Sequence, residues 1–441
     1  MAYLYRILTA AAVVILAPYY ALRGWRRGEP RQTFRDRFGL LAPEIVAAAD
    51  AAGENRPIWI HAVSVGEVLA AQPLLAGLRE RFPARPVFVS TTTETGQRLA
   101  RERMPGAAGV FYFPLDWTIS VRRALGALRP ALVVMMETEI WPNFLRVAHQ
   151  AGVPVAFANA RISEKSLERF ERWRRFAEPF YRKILRWPAL FLAQSKEDAE
   201  RLGAIGAPEE RIEVTGNLKY DSEPPRPGAF QEWFAAQIQA QERWPVLIAG
   251  SVVAEEEPHV LAAWDLVQRK WRRALLVLAP RKPDRFEAAM ALCVEGGWNA
   301  VRRSEMDFKK PLDDEADIVL LDSIGELAAL YALGDAAFVG GSLVAAGGHN
   351  ILEPAWFARP PVFGGSMENF QEMAGRFLGA RAGIQVESGP MLGRVWIQLI
   401  EDAALRERMG ESARKLSLAN RGAAQRTLER IATLLGPAEA K

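Results

Sequence analysis

Glu67 lies where a short apolar run gives way to a helical pattern. The run PIWI (residues 57–60) leads into HAVSVGE (residues 61–67), and apolar residues then recur with helical spacing in VLAAQPLLAGL. Gly66 leaves the backbone beside the carboxylate unencumbered. A carboxylate at this position could act as a general base that takes a proton from a bound substrate, or it could simply cap the helix. The spacing favours neither interpretation over the other.

Further charged residues follow other predicted strands. Glu137 and Glu139 lie in METE after the run ALVVMM, and Lys219 lies in GNLKYD after RIEVT. Paired acids could bind a ligand or form structural ion pairs, and an isolated lysine is commonly an ordinary solvated side chain. Because the carboxyl ends of parallel strands meet at one edge of a sheet, we expect these groups to lie at the same edge as Glu67.

A glycine-rich stretch, GGSLVAAGGHNILEP (residues 340–354), follows the run AAFV in the second half of the chain. Glycines let the backbone approach a ligand and offer N–H groups to phosphate, and the helical pattern that follows would add a favourable dipole. Glu353 could accept a hydrogen bond from a ribose hydroxyl. The alternative is a tight structural turn, but His349, Asn350 and Glu353 in the same motif favour a ligand. The possible phosphate loop comprises Gly340, Gly341, Ser342 and Gly348.

The elements that must position these residues alternate between apolar runs and helical patterns. RPVFVS, VPVAFAN and ALFLAQ predict strands in the first half, and VLIAGS, ALLVLAP, ADIVLLD and AAFVGGS predict strands in the second half. This alternation indicates parallel sheets wound in right-handed βαβ units. The proline-rich stretch 217–233 interrupts the alternation and is predicted to be a linker.

The predicted fold class is therefore α/β, with two doubly wound domains and the polar motifs lining a cleft between them. The first domain is expected to span residues 26–216. The second is expected to span 234–441, with a last helix that could pack back onto the first. Residues 1–25 are assigned to a membrane anchor.

The anchor prediction rests on residues 7–22, an uncharged apolar run that approaches the roughly 20 residues needed to cross a bilayer. A cleaved signal peptide would carry its charges before the run, whereas here they follow it. A plain core helix is the remaining alternative, favoured by Pro18 and the short length. The basic flank indicates a cytoplasmic location for the rest of the chain. The basic residues are Arg23, Arg26, Arg27, Arg31, Arg35 and Arg37.

Composition and missing motifs exclude several classes of protein. The single cysteine, Cys293, rules out an intrachain disulfide framework and a cysteine-rich zinc site, and the four histidines show no HExxH spacing. The sequence DEAD at 314–317 lacks a supporting GxxxxGK[ST], so we expect no nucleic-acid partner. No GxGxxG follows the first strand, which disfavours a nicotinamide dehydrogenase. The lack of a DxD motif favours nucleotide chemistry without a bound metal, and no cofactor is expected.

The combination of motifs resembles that of the bacterial 3-deoxy-D-manno-octulosonic acid (Kdo) transferases. The resemblance runs from about Arg37 to beyond Phe370. METEIWPN and GGHNILEPA together are specific to this family. The other motifs that carry the resemblance are HAVSVGE, YFPLDW, NARISEKS, AQSKEDAERL, VTGNLKYD, GELAALY and FVGGSLV.

The resemblance implies a GT-B fold, in which one Rossmann-like domain holds the acceptor and the other holds the nucleotide sugar. Such enzymes transfer Kdo from CMP-Kdo to a lipid A precursor of the lipid IVA type, with inversion and without a metal, in lipopolysaccharide core biosynthesis at the cytoplasmic side of the inner membrane. It implies that Glu67 is the general base and that Glu137 and Lys219 stabilise the transition state. The implied CMP contacts are Pro280, Arg281, Ile324, Gly325, Glu326, Asn350, Ile351, Leu352 and Glu353.

Three motifs depart from the family pattern. GSVVAEEE stands where GSTHxGEE is common, PRKPDRF replaces PRHPERF, and DSIGEL replaces TMGEL. These changes keep the donor site basic but alter its hydrogen bonding, so a related ulosonic acid remains an alternative donor. Two other functions stay open: a GT-B enzyme that uses a UDP-sugar, and an inactive relative that binds lipid A precursors.

Overall fold

The computed structural model describes residues 31–436 together with Tyr5, Ile7, Thr9, Ala10, Ala11, Val13 and Ile15. Most of the predicted anchor, 1–25, therefore lies outside the described residues. In the part of the chain that is described, no helix combines the length and apolar character needed to cross a membrane. The chain forms two compact units: residues up to Ser222 together with those from Asn420 onward, and residues Glu223–Ala419.

The first unit contains a parallel sheet of seven strands in the order β3-β2-β1-β4-β5-β6-β7. Its central strands are short apolar segments whose residues are buried on both faces, as expected for a parallel sheet covered by helices. The strands are β1 (Ile58–His61), β2 (Val87–Thr91), β3 (Gly109–Tyr112), β4 (Leu132–Met136), β5 (Val155–Ala160), β6 (Leu190–Ala193) and β7 (Ile212–Val214).

Helices cover both faces of this sheet. Trp59 of β1 packs against Phe111 and Phe144 on one face, whereas Ile58 and Ile60 point to the other. The helices are α1 (Arg31–Arg37), α2 (Pro43–Ala51), α3 (Val65–Arg81), α4 (Glu94–Arg103), α5 (Thr118–Leu128), α6 (Pro142–Gln150), α7 (Glu164–Arg172), α8 (Arg174–Ile184) and α9 (Lys196–Ala204).

The second unit contains another parallel seven-stranded sheet, in the order β10-β11-β9-β8-β12-β13-β14. Strand β8 carries a register shift before Val252, where Ser251 takes a positive φ of 56°. The strands are β8 (Val246–Val252), β9 (Leu275–Pro280), β10 (Ala300–Arg302), β11 (Ile318–Leu320), β12 (Ala336–Val339), β13 (Pro361–Phe363) and β14 (Ile384–Gln385).

Two apolar cores lie on the two faces of the second sheet, one around Trp264 and Trp396 and the other around Phe230 and Tyr331. The helices of this unit are α10 (Ala229–Ala240), α11 (Glu257–Gln268), α12 (Phe286–Glu295), α13 (Leu327–Leu330), α14 (Leu352–Ala355), α15 (Gln371–Gly379), α16 (Gly389–Glu401) and α17 (Ala403–Ala419).

The last helix, α18 (Ala423–Leu435), belongs to the first unit. Leu428 and Ile431 join the core beneath α3, and a Cβ placed on Gly77 of α3 would lie only 2.8 Å from Leu428 Cδ2. Asp221 caps α18, because its carboxylate accepts hydrogen bonds from the N–H groups of Gly422 and Ala424. The C-terminal segment is therefore anchored to the first unit by both packing and capping.

The two parallel sheets confirm the predicted α/β class, and all the strands predicted from apolar runs are present. The stretch predicted as a linker, 217–233, is partly structured. Leu218–Asp221 forms a 3-10 turn in the first unit, whereas Ala229 begins helix α10 of the second. The boundary between the units follows Ser222.

One arginine of the basic flank, Arg37, has its contacts within the first unit. Arg37 donates a hydrogen bond to the carbonyl of Thr92 over 2.9 Å, and its guanidinium lies over the ring of Tyr112. It therefore stabilises the unit internally. Arg23, Arg26 and Arg27 lie outside the described residues.

Candidate active site

Glu67 lies in the first turn of α3, directly after the carboxyl end of β1, and is only 6% exposed. Its two carboxylate oxygens accept hydrogen bonds from the N–H of Val63 and the hydroxyl of Ser64, each over 2.9 Å. This bonding closes the start of α3 in the manner of a cap. Glu67 therefore caps the start of α3.

The electrostatic setting of Glu67 adds a second property. Burial, together with the negative charges of Glu137 and Glu139, raises the pKa of Glu67 to about 7, although the two hydrogen bonds act to lower it. A carboxyl with a pKa near 7 is poised to exchange a proton at neutral pH, whereas an ordinary helix cap is fully ionised there. The geometry therefore supports both the capping and the general-base interpretation of Glu67.

Glu137 and Lys219 form an ion pair in the same unit. Lys219 Nζ lies 3.4 Å from Glu137 Oε1, and the two side chains are 14% and 22% exposed. Glu137 takes a positive φ of 53° directly after β4, a conformation that is strained for a residue with a side chain. Burial and the charge of Glu137 raise the pKa of the neighbouring Glu139. The structure thus brings the three predicted catalytic residues into one electrostatic cluster.

Amide side chains fix the turn that carries Lys219. Asn159, which also has a positive φ (57°), accepts a hydrogen bond from the N–H of Leu218 over 2.9 Å. Gln194 donates to the carbonyl of Asn159 and accepts from the Asn217 side chain, each over 2.9 Å. These buried amides hold Lys219 in place through its backbone.

A cavity of about 320 Å³ lies against this cluster, with Glu139 in its wall. Trp141 and Tyr181 supply apolar surface, and Arg161 and Ser163 supply polar groups. Its lining comes from the segments that follow β4 and β5 and from the helices α7 and α8. A mixed lining of this kind suits a ligand with both polar and apolar parts.

In the second unit, backbone N–H groups of the glycine-rich stretch donate hydrogen bonds to a carboxylate of the protein itself. Glu256, which is fully buried, accepts hydrogen bonds from the N–H groups of Gly341, Ser342 and Leu343 over 2.6 to 2.7 Å. The N–H of Gly340 donates to the carbonyl of Gly250, and that of Gly348 donates to the carbonyl of Gly341. The predicted phosphate loop of Gly340, Gly341, Ser342 and Gly348 is corrected, because each of these donors already has a partner within the protein.

Arg281 and His349 meet beside this loop. Arg281 donates its Nε–H to His349 Nε2 over 3.1 Å, and His349 Nδ1 lies 2.7 Å from the carbonyl oxygen of Gly340. Arg281 also lowers the pKa of Glu353, but burial outweighs it and raises that pKa to about 7. The structure therefore brings Arg281, His349 and Glu353 into one group.

Glu326 is held by two side chains that the sequence did not single out, Arg303 and Ser323. Arg303 forms an ion pair with it at 2.7 Å, and its guanidinium lies over the rings of Phe230 and Phe308. Ser323 donates to the other carboxylate oxygen of Glu326. The orientation of this predicted nucleotide contact is therefore fixed.

The remaining predicted CMP contacts differ in exposure. Ile324 is 63% exposed, and Gly325 follows it with a positive φ of 93°. The side chains of Ile351 and Leu352 are fully buried, so only their backbone could reach a ligand. Pro280 is a buried residue at the end of β9, and Asn350 accepts a hydrogen bond from the N–H of Leu352.

Sequence reasoning missed Glu256 and Arg303. Glu256 is the second of three successive glutamates, and nothing in the run distinguishes the two that are buried, Glu256 and Glu257, from the exposed Glu255. Arg303 is one of two adjacent arginines, and one of its aromatic partners, Phe230, is distant in sequence. Only the tertiary contacts of these two residues reveal their roles, and the sequence does not show those contacts.

Comparisons with known proteins identify the family. A family model described as 3-deoxy-D-manno-octulosonic-acid transferase (kdotransferase) matches residues 32–222. The chain is 34% identical to the 3-deoxy-D-manno-octulosonic acid transferase of Bordetella pertussis, across 96% of this chain and 97% of that protein. The Haemophilus influenzae transferase of the same name is 33% identical across 84% of this chain and 86% of its own length. The chain belongs to the Kdo transferase family.

Solved structures of lower identity show the fold of this family member. A UDP-GlcNAc 2-epimerase from Neisseria meningitidis bound to UDP-GlcNAc superposes with a TM-score of 0.57 across 86% of this chain and 100% of its own, at 13% identity. Anabaena HepE in complex with UDP gives a TM-score of 0.54, also at 13% identity. Both support a GT-B-like fold with two Rossmann-like sheets.

Proposed function

We propose that this Kdo transferase family member is an inverting, metal-independent glycosyltransferase that moves Kdo from CMP-Kdo to a hydroxyl of a lipid A precursor, in lipopolysaccharide core synthesis. The observation that carries the proposal is the setting of Glu67. It is a buried carboxylate at the carboxyl edge of the sheet, with a pKa raised to about 7 and the Glu137–Lys219 pair in its electrostatic surroundings.

In the proposed reaction, the acceptor hydroxyl oxygen attacks the anomeric carbon of Kdo from the face opposite the CMP phosphate. The new bond forms as the bond from that carbon to the phosphate oxygen breaks, which inverts the configuration. Glu67 takes the proton that the hydroxyl loses, a contribution of about 10²-fold to 10⁴-fold in rate. Lys219, oriented by Glu137, stabilises the charge that develops in the transition state.

CMP leaves with additional charge on its phosphate. Arg281, exposed at the end of β9, supplies positive charge for that group. Glu353 accepts a hydrogen bond from a ribose hydroxyl. Glu326, fixed by Arg303, contributes to nucleotide binding. In this scheme, a guanidinium takes the part that a metal ion has in other glycosyltransferases.

The acceptor side of the proposal rests on the cavity beside Glu139. Its volume of about 320 Å³ and its mixed lining suit part of a phosphorylated, acylated disaccharide. The described residues near the N-terminus support work at a membrane surface. Tyr5 donates to Asp116 over 2.8 Å, while Ile7 and Ile15 are 66% and 71% exposed. One side of this segment thus contacts the first unit and the other presents apolar side chains.

The test uses the purified full-length protein, a lipid A precursor, and either CMP-Kdo or a panel of UDP-sugars. Mass analysis of the lipid product reports the donor, the acceptor and the number of units added. We expect one or more Kdo units to be added from CMP-Kdo. Turnover only with UDP-sugars, or binding of the lipid without turnover, would refute the proposal in favour of another GT-B reaction or an inactive binding protein.

A further inference from the structure

The glycine-rich stretch seats an imidazole ring. Gly341 has a positive φ of 69°, and a Cβ at this position would overlap the Nδ1 and Cε1 atoms of His349. Any side chain would therefore both strain the backbone and displace the ring. The N–H groups of this turn donate to Glu256, and the space where a Cβ of residue 341 would lie is filled by the ring of His349.

The hydrogen bonds of His349 determine its tautomer. A carbonyl oxygen can only accept, so His349 Nδ1, 2.7 Å from the Gly340 oxygen, must carry the proton and donate. His349 Nε2 then has a free lone pair, which accepts the Nε–H of Arg281 over 3.1 Å. Burial, aided by the charge of Arg281, lowers the pKa of His349 to about 4, so the ring is neutral at pH 7. The chain Gly340–His349–Arg281 is thus a directional relay of hydrogen bonds.

Among the described residues, Arg281 is held by only one of its five N–H groups. Within the described part of the chain, its Nε has His349 as partner, whereas its two terminal nitrogens have no hydrogen-bond partner, and the residue is exposed. A guanidinium fixed through Nε presents its remaining donors as a planar fork, the arrangement that suits a phosphate. A guanidinium without this tether would be free to rotate away.

We propose that His349 is a positioning residue for the donor site, which holds the guanidinium of Arg281 in the orientation that binds the phosphate of a cytidine monophosphate sugar. This inference rests on the proposed function, because it takes Arg281 as a contact of the donor phosphate. It assigns the glycines of the loop a different task from phosphate binding. Gly341 leaves room for the ring of His349, and Glu256 accepts hydrogen bonds from the N–H groups of the turn.

The inference predicts energetic coupling between His349 and Arg281. The probe is CMP alone, and its Kd is measured by titration calorimetry on the full-length protein. Replacing His349 by Phe keeps a ring but removes both nitrogens, and we expect CMP binding to weaken about tenfold. His349→Gln can accept from Arg281 through its amide oxygen and donate to Gly340 through its amide nitrogen, so it should retain affinity within about threefold.

The double substitution separates positioning from a merely structural role. Arg281→Ala should weaken CMP binding, and adding His349→Phe in that background should cause no further loss. Turnover should show the same division: His349→Phe raises the KM for CMP-Kdo with a smaller change in kcat. His259→Phe, a substitution at an exposed histidine on α11, is the matched control and should leave binding and turnover unchanged.

Each outcome decides the matter. Wild-type affinity in His349→Phe, or a loss that adds in full to that of Arg281→Ala, would overturn the positioning role. If His349→Phe does not fold, His349→Ala, which also removes both nitrogens but adds no bulk, is measured with and without Arg281→Ala and gives the same coupling. A wild-type protein that binds CMP but turns over only UDP-sugars would contradict the proposed function while leaving the coupling measurable.

Discussion

At the scale of single residues, Glu67 combines a structural bond with a chemical property. Its carboxylate accepts the Val63 N–H and the Ser64 hydroxyl, and burial raises its pKa to about 7. A helix cap at the surface would show the first feature without the second. The two interpretations can therefore be separated by measuring activity and stability on the same substitution.

Replacing Glu67 by Gln should lower kcat/KM about 10²-fold to 10⁴-fold, because an amide cannot take the proton of the attacking hydroxyl. In the wild type, kcat/KM should fall as the pH drops below about 7, where Glu67 becomes protonated. Rates measured from pH 5 to 9 check this. Because burial also raises the pKa of Glu353 to about 7, the profile is repeated in Glu353→Gln, in which the limb due to Glu67 should persist.

The same substitution should change the dependence of stability on pH. Glu67 has a pKa of about 7 in the folded protein, against 4.5 for an ordinary glutamate, so the folded state binds more protons between these values. The stability that this proton contributes is present below about pH 4.5 and is lost as the pH rises through 7. The Tm of Glu67→Gln should therefore improve relative to wild type from pH 5 to pH 8. A relative decline over this range would indicate that the ionised cap dominates.

Gly66 offers a test of where the acceptor approaches. A Cβ at Gly66 would meet no atom within 4 Å, and the residue lies in α3, so Gly66→Ala should raise the stability by up to about 1 kcal/mol. We nevertheless expect turnover to fall at least about tenfold, because the methyl group would fill space beside Glu67. Gly126→Ala in α5 also meets no atom and is the control. Equal activity in both variants would place the acceptor elsewhere.

The sequence allowed Glu67, Glu137 and Lys219 to be predicted as a group, because strand ends in a parallel sheet converge whatever the details of packing. It misassigned the glycine loop, since a pattern of glycines indicates close approach without revealing what approaches. The occupants proved to be Glu256 and the ring of His349, and both come from the protein itself.

At the scale of elements, the segment Leu218–Asp221 links the candidate site to the end of the chain. Lys219 pairs with Glu137, and two residues later Asp221 caps α18. Thr427 on α18 also bonds to Thr215 over 3.0 Å. The position of Lys219, the proposed catalytic lysine, therefore depends on a helix some 200 residues away in the sequence.

Weakening the packing of α18 should consequently reduce both stability and activity. Leu428→Ala removes a buried side chain between α18 and α3, and we expect it to cost about 2 to 4 kcal/mol in the unfolding of the first unit. Turnover should fall because the turn that carries Lys219 loses support. Leu418→Ala, at a position 43% exposed on α17, should stay within about 0.5 kcal/mol. Thermal unfolding and kcat at 25 °C measure the two effects, and unchanged kcat in Leu428→Ala would show that Lys219 is held locally.

Element prediction succeeded for long apolar runs and failed for short strands at the sheet edges. Strands β1, β4 and β9 are fully buried on both faces, so composition alone identifies them. Strands β10 and β14 have three and two residues, too few for any periodicity to appear. The run SEKSLERFERWRRF shows a single helical pattern, but the structure has two helices, α7 and α8, that meet at Trp173.

At the scale of the whole molecule, the chain builds two units whose apolar cores are separate. The cores around Trp59 and Ile58 belong to the first unit, and those around Trp264 and Phe230 belong to the second. The chain enters the second unit after Ser222 and leaves it before Asn420. Cooperative unfolding follows shared cores, so each unit is expected to unfold in its own transition.

Nucleotide binding should therefore stabilise only one of the two transitions. The proposed CMP contacts lie within residues 223–419, and CMP at 100 times its Kd stabilises the state that binds it by about 2.7 kcal/mol. For a unit of this size, that free energy corresponds to a rise of roughly 5 to 10 °C in Tm. Scanning calorimetry with and without CMP measures it.

The substitutions already described assign the transitions. Leu428→Ala should lower the transition that CMP leaves unchanged, since Leu428 packs in the first unit. Arg281→Ala should leave both transitions in place without CMP and reduce the rise that CMP causes in one of them, because the exposed guanidinium contributes to binding and not to a core. If CMP raised the transition that Leu428→Ala lowers, the nucleotide would be bound by the first unit. The donor would then be assigned to the first unit and the acceptor to the second.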